Sequence, residues 1–546
     1  MNLRRIIHGA FPALCGTLLF AVNQAPVFLA YLNPPPGYTG SLLPMDMDAL
    51  QYRTWIDAYR DGKGWLLPDY HAPWSTEPAL MNPICWFIGR TSALLGIDGL
   101  WIYYVLCLAL TVAGVYALLY AIRAFTESRT QARVALLLFI CCVPIPAVLA
   151  LVTYPCGTAN PWLGLIATGA TVLGRYDSDS FLNGISSGPL VLFGTVATIL
   201  CMALLAKYLK TNSPHRLRWA ALVAGLSAFI HPFEIFVIMG GGGLALLLRP
   251  GQPWRRSLRD IATIVGSGLL GLAPYVYLAS RHAWLKQAAV ENHWQTLSPP
   301  VILMLLGFPA LFCLLSYPLP LEKKSVTDTL LDCWFCVVFV EIYVPFLPWQ
   351  HHLLDGVYYA IGLILARHAA RWAAARNLVT TRPAVAWAPL LALLIASLAA
   401  RAIYWKAAVE AASTPGNDAS ALVSNADRAV LSWLHTHASA DDLLLAPKFD
   451  AGYFASLPMH SFGSHWLFSL SWGVQVLQSD AFYKGSLEGT TAHSLLSRFG
   501  VRYVLIPGGS PAGRYFADRR PAVTFENAAI FEMPNAGMHP YVGLTH

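Results

Sequence analysis

Long apolar runs alternate with short polar stretches along most of this 546-residue chain. Runs at 11–31, 100–122, 134–152, 189–209, 261–279, 301–317, 330–347 and 384–404 carry few charges and are apolar on every side, as a helix surrounded by lipid must be. A shorter run covers 354–365. The stretch 219–248 is broken by His231-Pro232 and has basic clusters at both ends, which predicts two short helices meeting near His231 or a re-entrant hairpin. The pattern predicts about eleven spans. Beyond residue 405 it changes to a mixture of charges, Gly, Pro and short apolar stretches, which predicts a soluble α/β domain over 406–546. Within that domain 426–437 reads as an amphipathic helix, 443–446 and 503–506 as buried strands, and 524–525 with 529–531 as a hairpin around Glu526-Asn527.

Composition agrees with the pattern. The chain is 56% hydrophobic and 12% charged, against roughly 25% charged residues in soluble domains. The fold class is therefore mainly α: a polytopic membrane bundle with a C-terminal α/β domain outside the bilayer. The net charge of +7 is not a nucleic-acid patch, because the basic residues sit in short clusters between apolar runs. Arg123/Arg129/Arg133, Lys210/Arg216/Arg218, Arg249/Arg255/Arg256/Arg259, Lys323/Lys324 and Arg367/Arg371/Arg376/Arg382 fall in alternate loops. The intervening loops are richer in acids, prolines and aromatics. This asymmetry predicts a multi-pass protein with a cytoplasmic N-terminus, an uncleaved first span and an external C-terminus. Of the ten cysteines, most lie in apolar runs and none follows Cys336, so the C-terminal domain is expected to hold together without disulfides. Cys333 and Cys336 form a CxxC in mid-span without a second pair, and read as small core residues.

The segment 33–98 is longer than a plain connection between spans needs, and its many aromatics predict an ordered, functional first external loop within a transmembrane domain over 1–405. It carries Asp46, Asp48 and Tyr52, then His71, Trp74, Glu77-Pro78-Ala79-Leu80 and Asn82-Pro83. Asp46 and Asp48 can cap the helix that begins near Ala49 or act chemically. Asp177 and Asp179 stand in a second polar segment, 154–188. His231 and Glu234 lie at helical spacing near the bilayer surface, where an ionisable group is a functional candidate. Asp332 and Glu341 lie in the run 330–347, with Glu341 nearer its outer end and the better placed to line a cavity. Arg281, His282, His351 and His352 are among the few basic groups near external span ends, where a lipid phosphate would lie. His71 could join the acids around a divalent metal, but one histidine and scattered carboxylates do not define a site. The chain has no Gly-rich nucleotide loop, and Gly240–Gly243 reads as a helix-packing surface.

Asp48-Ala-Leu-Gln-Tyr52 resembles the Asp-Glu-x-x-Tyr motif in the first external loop of the lipid A aminoarabinose transferases. These belong, with the protein O-mannosyltransferases, to the GT-C glycosyltransferases. Glu77-Pro78-Ala79-Leu80 is similar to their downstream Glu-Lys-Pro-Pro-Leu segment, in the same order. The second acid of the pair is absent here, and Asp46 stands two residues earlier. The wider layout covers most of the chain: Asn82-Pro83 after the external acids, His231-Pro232 between two short spans, a C-terminal Tyr503-Val-Leu-Ile-Pro507 strand, and Gln350-His351-His352 with Gly356 where Gln-Arg-Arg and a Gly would be expected, so that the arginine pair is missing here. It looks like a group of bacterial membrane proteins of GT-C type.

The resemblance implies a bacterial inner-membrane enzyme with a periplasmic C-terminal domain. It would move a sugar from a polyprenyl-phosphate donor to an envelope glycan, lipid or protein acceptor. Asp48, Asp46 and Glu77 would be the catalytic acids. Tyr52, Asp177, Asp179, His231, Glu234, Arg281, His282, Glu341, His351 and His352 would bind substrate, and Gly463, His465 and Trp466 could contribute from the C-terminal domain. The chemistry suits these types: a carboxylate takes the acceptor proton, and cations or donors stabilise the departing phosphate. A transporter or flippase of a lipid-linked precursor, or a non-catalytic envelope-assembly scaffold, is the competing expectation.

Overall fold

The computed structural model describes residues 3–42, 47–74, 76–126, 188–291, 325–344, 359–364, 408–415, 421–447, 457–462 and 472–534, with a few isolated positions besides. The chain forms two compact units. One comprises Met1–Asn23, Leu106–Pro274 and His293–Ala408; the other comprises Gln24–Val105, Tyr275–Asn292 and Val409–His546. Asp46, Asp177, Asp179, His351, His352, Gly463, His465 and Trp466 lie outside the described residues, as do the runs 134–152 and 301–317 and most of 384–404.

Among the described residues, four helices are long and apolar enough to cross a membrane. Helix α1 covers Leu3–Leu32, α4 Gly99–Phe125, α5 Pro189–Thr211 and α8 Trp254–Arg281. Helix α5 is the hub of the first unit and is buried along most of its length, whereas α8 turns most of its surface outward. Around α5 pack α6 (Pro214–Ile230), α7 (Glu234–Leu247) and α10 (Val326–Glu341). Helix α6 stops where Pro232 cannot continue it, and α7 restarts two residues later, as expected from the His-Pro break. A π-turn at Ile238–Gly242 interrupts α7 within the glycine run. A Cβ on Gly241 would stand 3.0 Å from the Trp334 Cα, and one on Gly242 would stand 2.8 Å from a Leu205 methyl. These glycines let α7 press against α10 and α5.

The basic helix ends gather at one end of this bundle. Lys210 Nζ donates to Ala124 O at 2.8 Å, Arg249 to Leu209 O at 2.8 Å, and Arg216 to the Tyr120 hydroxyl at 2.9 Å. Cations there satisfy the unpaired carbonyls of helix C-termini and oppose their partial negative charge.

The second unit contains α2 (Met47–Arg60), α3 (Pro83–Leu95), α9 (Ala283–Glu291) and a five-stranded sheet. Helix α2 buries Tyr52, Trp55, Ile56 and Tyr59, the spacing of one helical face. Helix α3 begins at Pro83 behind Asn82, whose side chain accepts from Cys85 N, and stops at Gly96, which is left-handed at φ 65°. Gly89 lets the two helices approach: a Cβ there would meet Ile56 O at 2.5 Å.

The short strand β1 (Tyr38–Gly40) pairs antiparallel with β2 (Leu422–Ser424), so the segment after α1 and the segment before the C-terminal sheet share a ladder. After β2 come α11 (Asn425–His437), β3 (Leu443–Leu445), β4 (His460–Ser461), α12 (Trp472–Tyr483), α13 (Gly489–Phe499), β5 (Val501–Pro507), β6 (Val523–Thr524) and β7 (Ala528–Glu532). The sheet order is β4-β3-β5-β7-β6, with β3 parallel to both neighbours and β7 antiparallel to both of its own, β5 and β6. Alternate residues feed two cores. Leu444, Tyr503, Leu505 and Ile530 pack with Val430 and Leu434 of α11, while Leu443, Leu445, Val504 and Phe531 pack with Phe482 of α12 and Leu496 of α13. The helix, both buried strands and the hairpin at Glu526-Asn527 all fall where the sequence pattern puts them.

Candidate active site

In the second unit Asp48 stands in the first turn of α2. Tyr52 follows one turn later and is buried against Trp55. Next to it Arg53 does structural work: its Nε donates to Asp57 at 2.5 Å and its Nη1 to Asp98 at 2.7 Å. Asp98 also accepts from Leu100 N at 2.8 Å, so the guanidinium ties α2 to the first turn of α4. Burial raises the Asp57 carboxyl above its usual range, and Arg53 offsets part of that rise.

The turn at 69–72 holds a second buried carboxylate. Asp69 is 1% exposed. One of its oxygens accepts from His71 N at 2.9 Å, and its own N–H donates to Thr76 Oγ1 at 2.8 Å. Burial pushes the Asp69 carboxyl up to about 7, with the His71 N–H working against the shift. The same turn is fastened to the sheet edge: Ser461 N donates to Tyr70 O at 2.8 Å, and His460 Nδ1 lies 3.1 Å from Ala72 O. Burial holds the His460 imidazole down at about 4, so the ring is neutral near pH 7 and donates from Nδ1.

Glu77 lies beyond this turn, largely exposed. Its Oε2 is 3.0 Å from His282 Nδ1, an ion-pair separation without hydrogen-bond alignment. Two residues after His282, Trp284 is buried among Ala72, Trp74 and Ala79, which docks α9 on the first segment. Arg281 ends α8, exposed, with its guanidinium over the Tyr277 ring at 5.6 Å.

The first unit has its own buried pair. His231 Nδ1 and Glu234 Oε1 are 2.6 Å apart, and Glu234 is fully buried. Gly194 of α5 lies directly against them: a methyl there would collide with Glu234 Oε1 and stand 2.7 Å from His231 Nδ1. Glu341 ends α10, and a methyl on Gly240 would stand 2.6 Å from its Oε1. The glycines of α5 and α7 thus leave room for carboxylates in an otherwise apolar bundle. No group of three His, Cys, Asp or Glu among the described residues could hold a metal ion.

No family model matches the chain, and no curated protein does. Solved structures do. The oligosaccharyltransferase AglB from Archaeoglobus fulgidus, in complex with an inhibitory peptide and a dolichol-phosphate, superposes with a TM-score of 0.53 at 11% identity, over 93% of this chain and 70% of that one. ArnT from Cupriavidus metallidurans, in the apo state, gives 0.51 at 10% identity, over 94% and 96%. The mycobacterial arabinofuranosyltransferase AftD gives 0.56 at 13% identity, over 99% of this chain and 42% of that one. The chain has the GT-C fold.

Two clusters in this GT-C chain gather residues expected from the sequence. Glu77 and His282 meet in one unit, and His231 and Glu234 meet in the other with Gly194. Asp48 and Tyr52 share α2, Arg281 adjoins His282, and Glu341 lies beside Gly240. Sequence reasoning missed Arg53 with Asp57 and Asp98, and Asp69 with His460. For Arg53 a signal existed: Arg53 and Asp57 are four apart on a predicted helix. For His460 and the turn at 69–72 there was none, because the partners are 388 residues apart.

Proposed function

We propose that this GT-C protein transfers a sugar from a polyprenyl-phosphate donor to an envelope glycan, lipid or protein acceptor at the outer face of a bacterial inner membrane. One observation carries this reading: the fold matches over nearly the whole chain a transferase whose structure holds a dolichol-phosphate. In this reading the bond between the sugar C1 and the phosphate oxygen breaks. The acceptor hydroxyl bonds to C1, its proton passes to a carboxylate, and polyprenyl phosphate departs.

Asp48 is the proposed base, with Asp46 and Glu77 as further acids. Tyr52, Asp177, Asp179, His231, Glu234 and Glu341 are assigned to the sugar and acceptor, and Arg281, His282, His351 and His352 to the phosphate, which needs cations or donors as charge develops on it. The basic helix ends are assigned to the cytoplasmic side. Residues 1–405 form the transmembrane domain with its first external loop at 33–98, and 406–546 form the periplasmic domain.

The test uses the purified full chain with radiolabelled polyprenyl-phosphate sugars and envelope extract as acceptor. The wild type is expected to move label out of the donor lipid, and Asp48→Asn to do so ~100-fold more slowly. Label that stays in the lipid with every donor overturns the reading. Equal turnover by Asp48→Asn removes that residue from the chemistry.

A further inference from the structure

The second unit carries a cleft that the proposed chemistry does not use. It opens where α2 and α11 both end, beside the residues that lead into β4, and holds about 240 Å³. Ala58, Leu434 and Met459 form a buried apolar floor. Asp61, Lys63, His435 and Ser439 stand exposed around the rim. An apolar floor under a few polar groups is the make-up of a small-ligand site.

The rim is fixed by its backbone, which leaves its side chains to spare. After α2, Gly62 takes a positive φ of 92°, Lys63 N donates to Ala58 O at 3.1 Å, and Arg90 of α3 donates to Lys63 O at 2.6 Å. After α11, Ser439 N donates to an Asp442 carboxylate oxygen at 2.7 Å, and Asp442 N returns a bond to Ser439 O at 3.1 Å. Among the described residues, the side chains of Asp61, Lys63, His435 and Ser439 make no hydrogen bond or ion pair. Loops already held in place lose little freedom when a ligand binds.

We propose that this cleft binds one neutral sugar unit of an oligosaccharide, away from the reaction centre. Asp61 accepts hydrogen bonds, Lys63 donates them, and His435 and Ser439 do either. Sugar hydroxyls, which give and receive, match that rim, and the C–H face of a sugar ring matches the floor. An anion is disfavoured, because Asp61 and the partial negative charge of two helix C-termini oppose Lys63. The volume lies just below the ~300–1,000 Å³ of larger ligand sites, which suits a single ring rather than a nucleotide or a lipid chain. Asp48 stands in the first turn of α2 and Arg60 is its last residue. The helix between them is ~18 Å long. One sugar does not span that distance and an oligosaccharide does. In the one respect that rests on the transferase reading, the acceptor is a glycan: an earlier sugar of its chain sits in the cleft while its end is extended at Asp48.

The experiment reads binding to the purified full chain in a sugar-free detergent by saturation-transfer NMR. The probes are neutral gluco-, manno- and arabino-oligosaccharides, oligogalacturonates of matching length, and acetylated tetrapeptides. The neutral oligosaccharides are expected to bind. Asp61→Ala removes the acceptor and Ser439→Trp fills the cleft from its rim, and each is expected to weaken that binding ~10-fold or more. Both side chains are exposed and make no internal bond, so neither change disturbs the fold. No sugar binding by the wild type, undiminished binding by either variant, or preference for the galacturonates or the peptides overturns the inference. Binding is read without turnover, so a chain that binds these sugars and transfers none fails the transferase reading alone.

Discussion

Each unit buries a carboxylate that neighbours a histidine, and the two solve the problem differently. In the bundle Glu234 is fully buried and touches His231 directly, in space that only Gly194 leaves open. In the second unit Asp69 is nearly as buried, but it is satisfied by the N–H of its own turn, while His460 bonds carbonyls instead. The first arrangement depends on two side chains and a missing methyl. The second depends on backbone, and the acid accommodates burial by holding its proton to higher pH. A pair inside an apolar bundle is therefore fragile to loss of either member, whereas an acid in a backbone turn is sensitive chiefly to pH.

The largest expected effects lie in the bundle. His231→Ala strips the partner from a buried carboxylate and should cost about 3–5 kcal/mol. Gly194→Ala forces a methyl against Glu234 and should destabilise comparably. Thermal unfolding of the purified protein checks both. The double substitution His231→Leu/Glu234→Leu sharpens the contrast, because it removes both polar partners and leaves neither orphaned, and it should be far milder than His231→Ala alone. If the double variant is as unstable as the single ones, the pair is not what makes this site fragile.

The second unit should respond to pH rather than to truncation. Burial holds the Asp69 carboxyl up at about 7 when folded, against 3.8 in the unfolded chain, so the folded state holds the extra proton and stability falls as pH rises through that window. His460 titrates near 4 against 6.5, so the unfolded state holds the extra proton and stability falls as pH drops from 6.5 toward 4. Between about 4 and 6.5 the two slopes oppose each other. Asp69→Asn should uncover a stability that climbs with pH across that range, and His460→Gln one that declines toward pH 7. Identical pH profiles for wild type and both variants would show that neither group titrates as its burial implies.

How much of this was legible beforehand follows the range of the contacts. Apolar runs reveal spans because the bilayer imposes length and composition locally, and α1, α4, α5 and α8 fall on them. The His231-Pro232 break and the spacing of Glu234 also lie within one turn of helix. The strand β5 and the helix α11 are readable from period alone. What the sequence could not reveal is the seam between distant segments. Tyr38–Gly40 pairs with Leu422–Ser424, and the turn at Tyr70 and Ala72 meets Ser461 and His460. Each strand in that seam is two or three residues long, too short for a pattern, and its partner lies hundreds of residues away. Gly194 was opaque for the same reason, since a glycine in an apolar run gives no hint that a carboxylate needs its space.

The smallest expected effect on stability belongs to Glu77, and for that reason it discriminates best between structure and chemistry. Its side chain is 79% exposed, and its distance to His282 is that of an ion pair without hydrogen-bond alignment. A pair with its carboxylate in solvent and its histidine partly buried is worth about 0–1 kcal/mol, and salt screens it further. Glu77→Gln keeps the shape and removes the charge, so its unfolding temperature should match the wild type within about 2 °C, particularly at high salt. If Glu77 belongs to the chemistry of transfer, turnover should nevertheless drop by ~10- to 100-fold with donor affinity nearly unchanged, because a group that acts on the reacting atoms lowers kcat rather than raising KM. His282→Gln separates the two partners further. If His282 only neutralises Glu77, its loss should leave turnover high; if it holds the phosphate, donor affinity should weaken while kcat is less affected. A Glu77→Gln protein that unfolds several degrees early would assign the residue to the scaffold beside Trp284, and one unchanged in both stability and turnover would leave Asp48 to carry the acid chemistry without it.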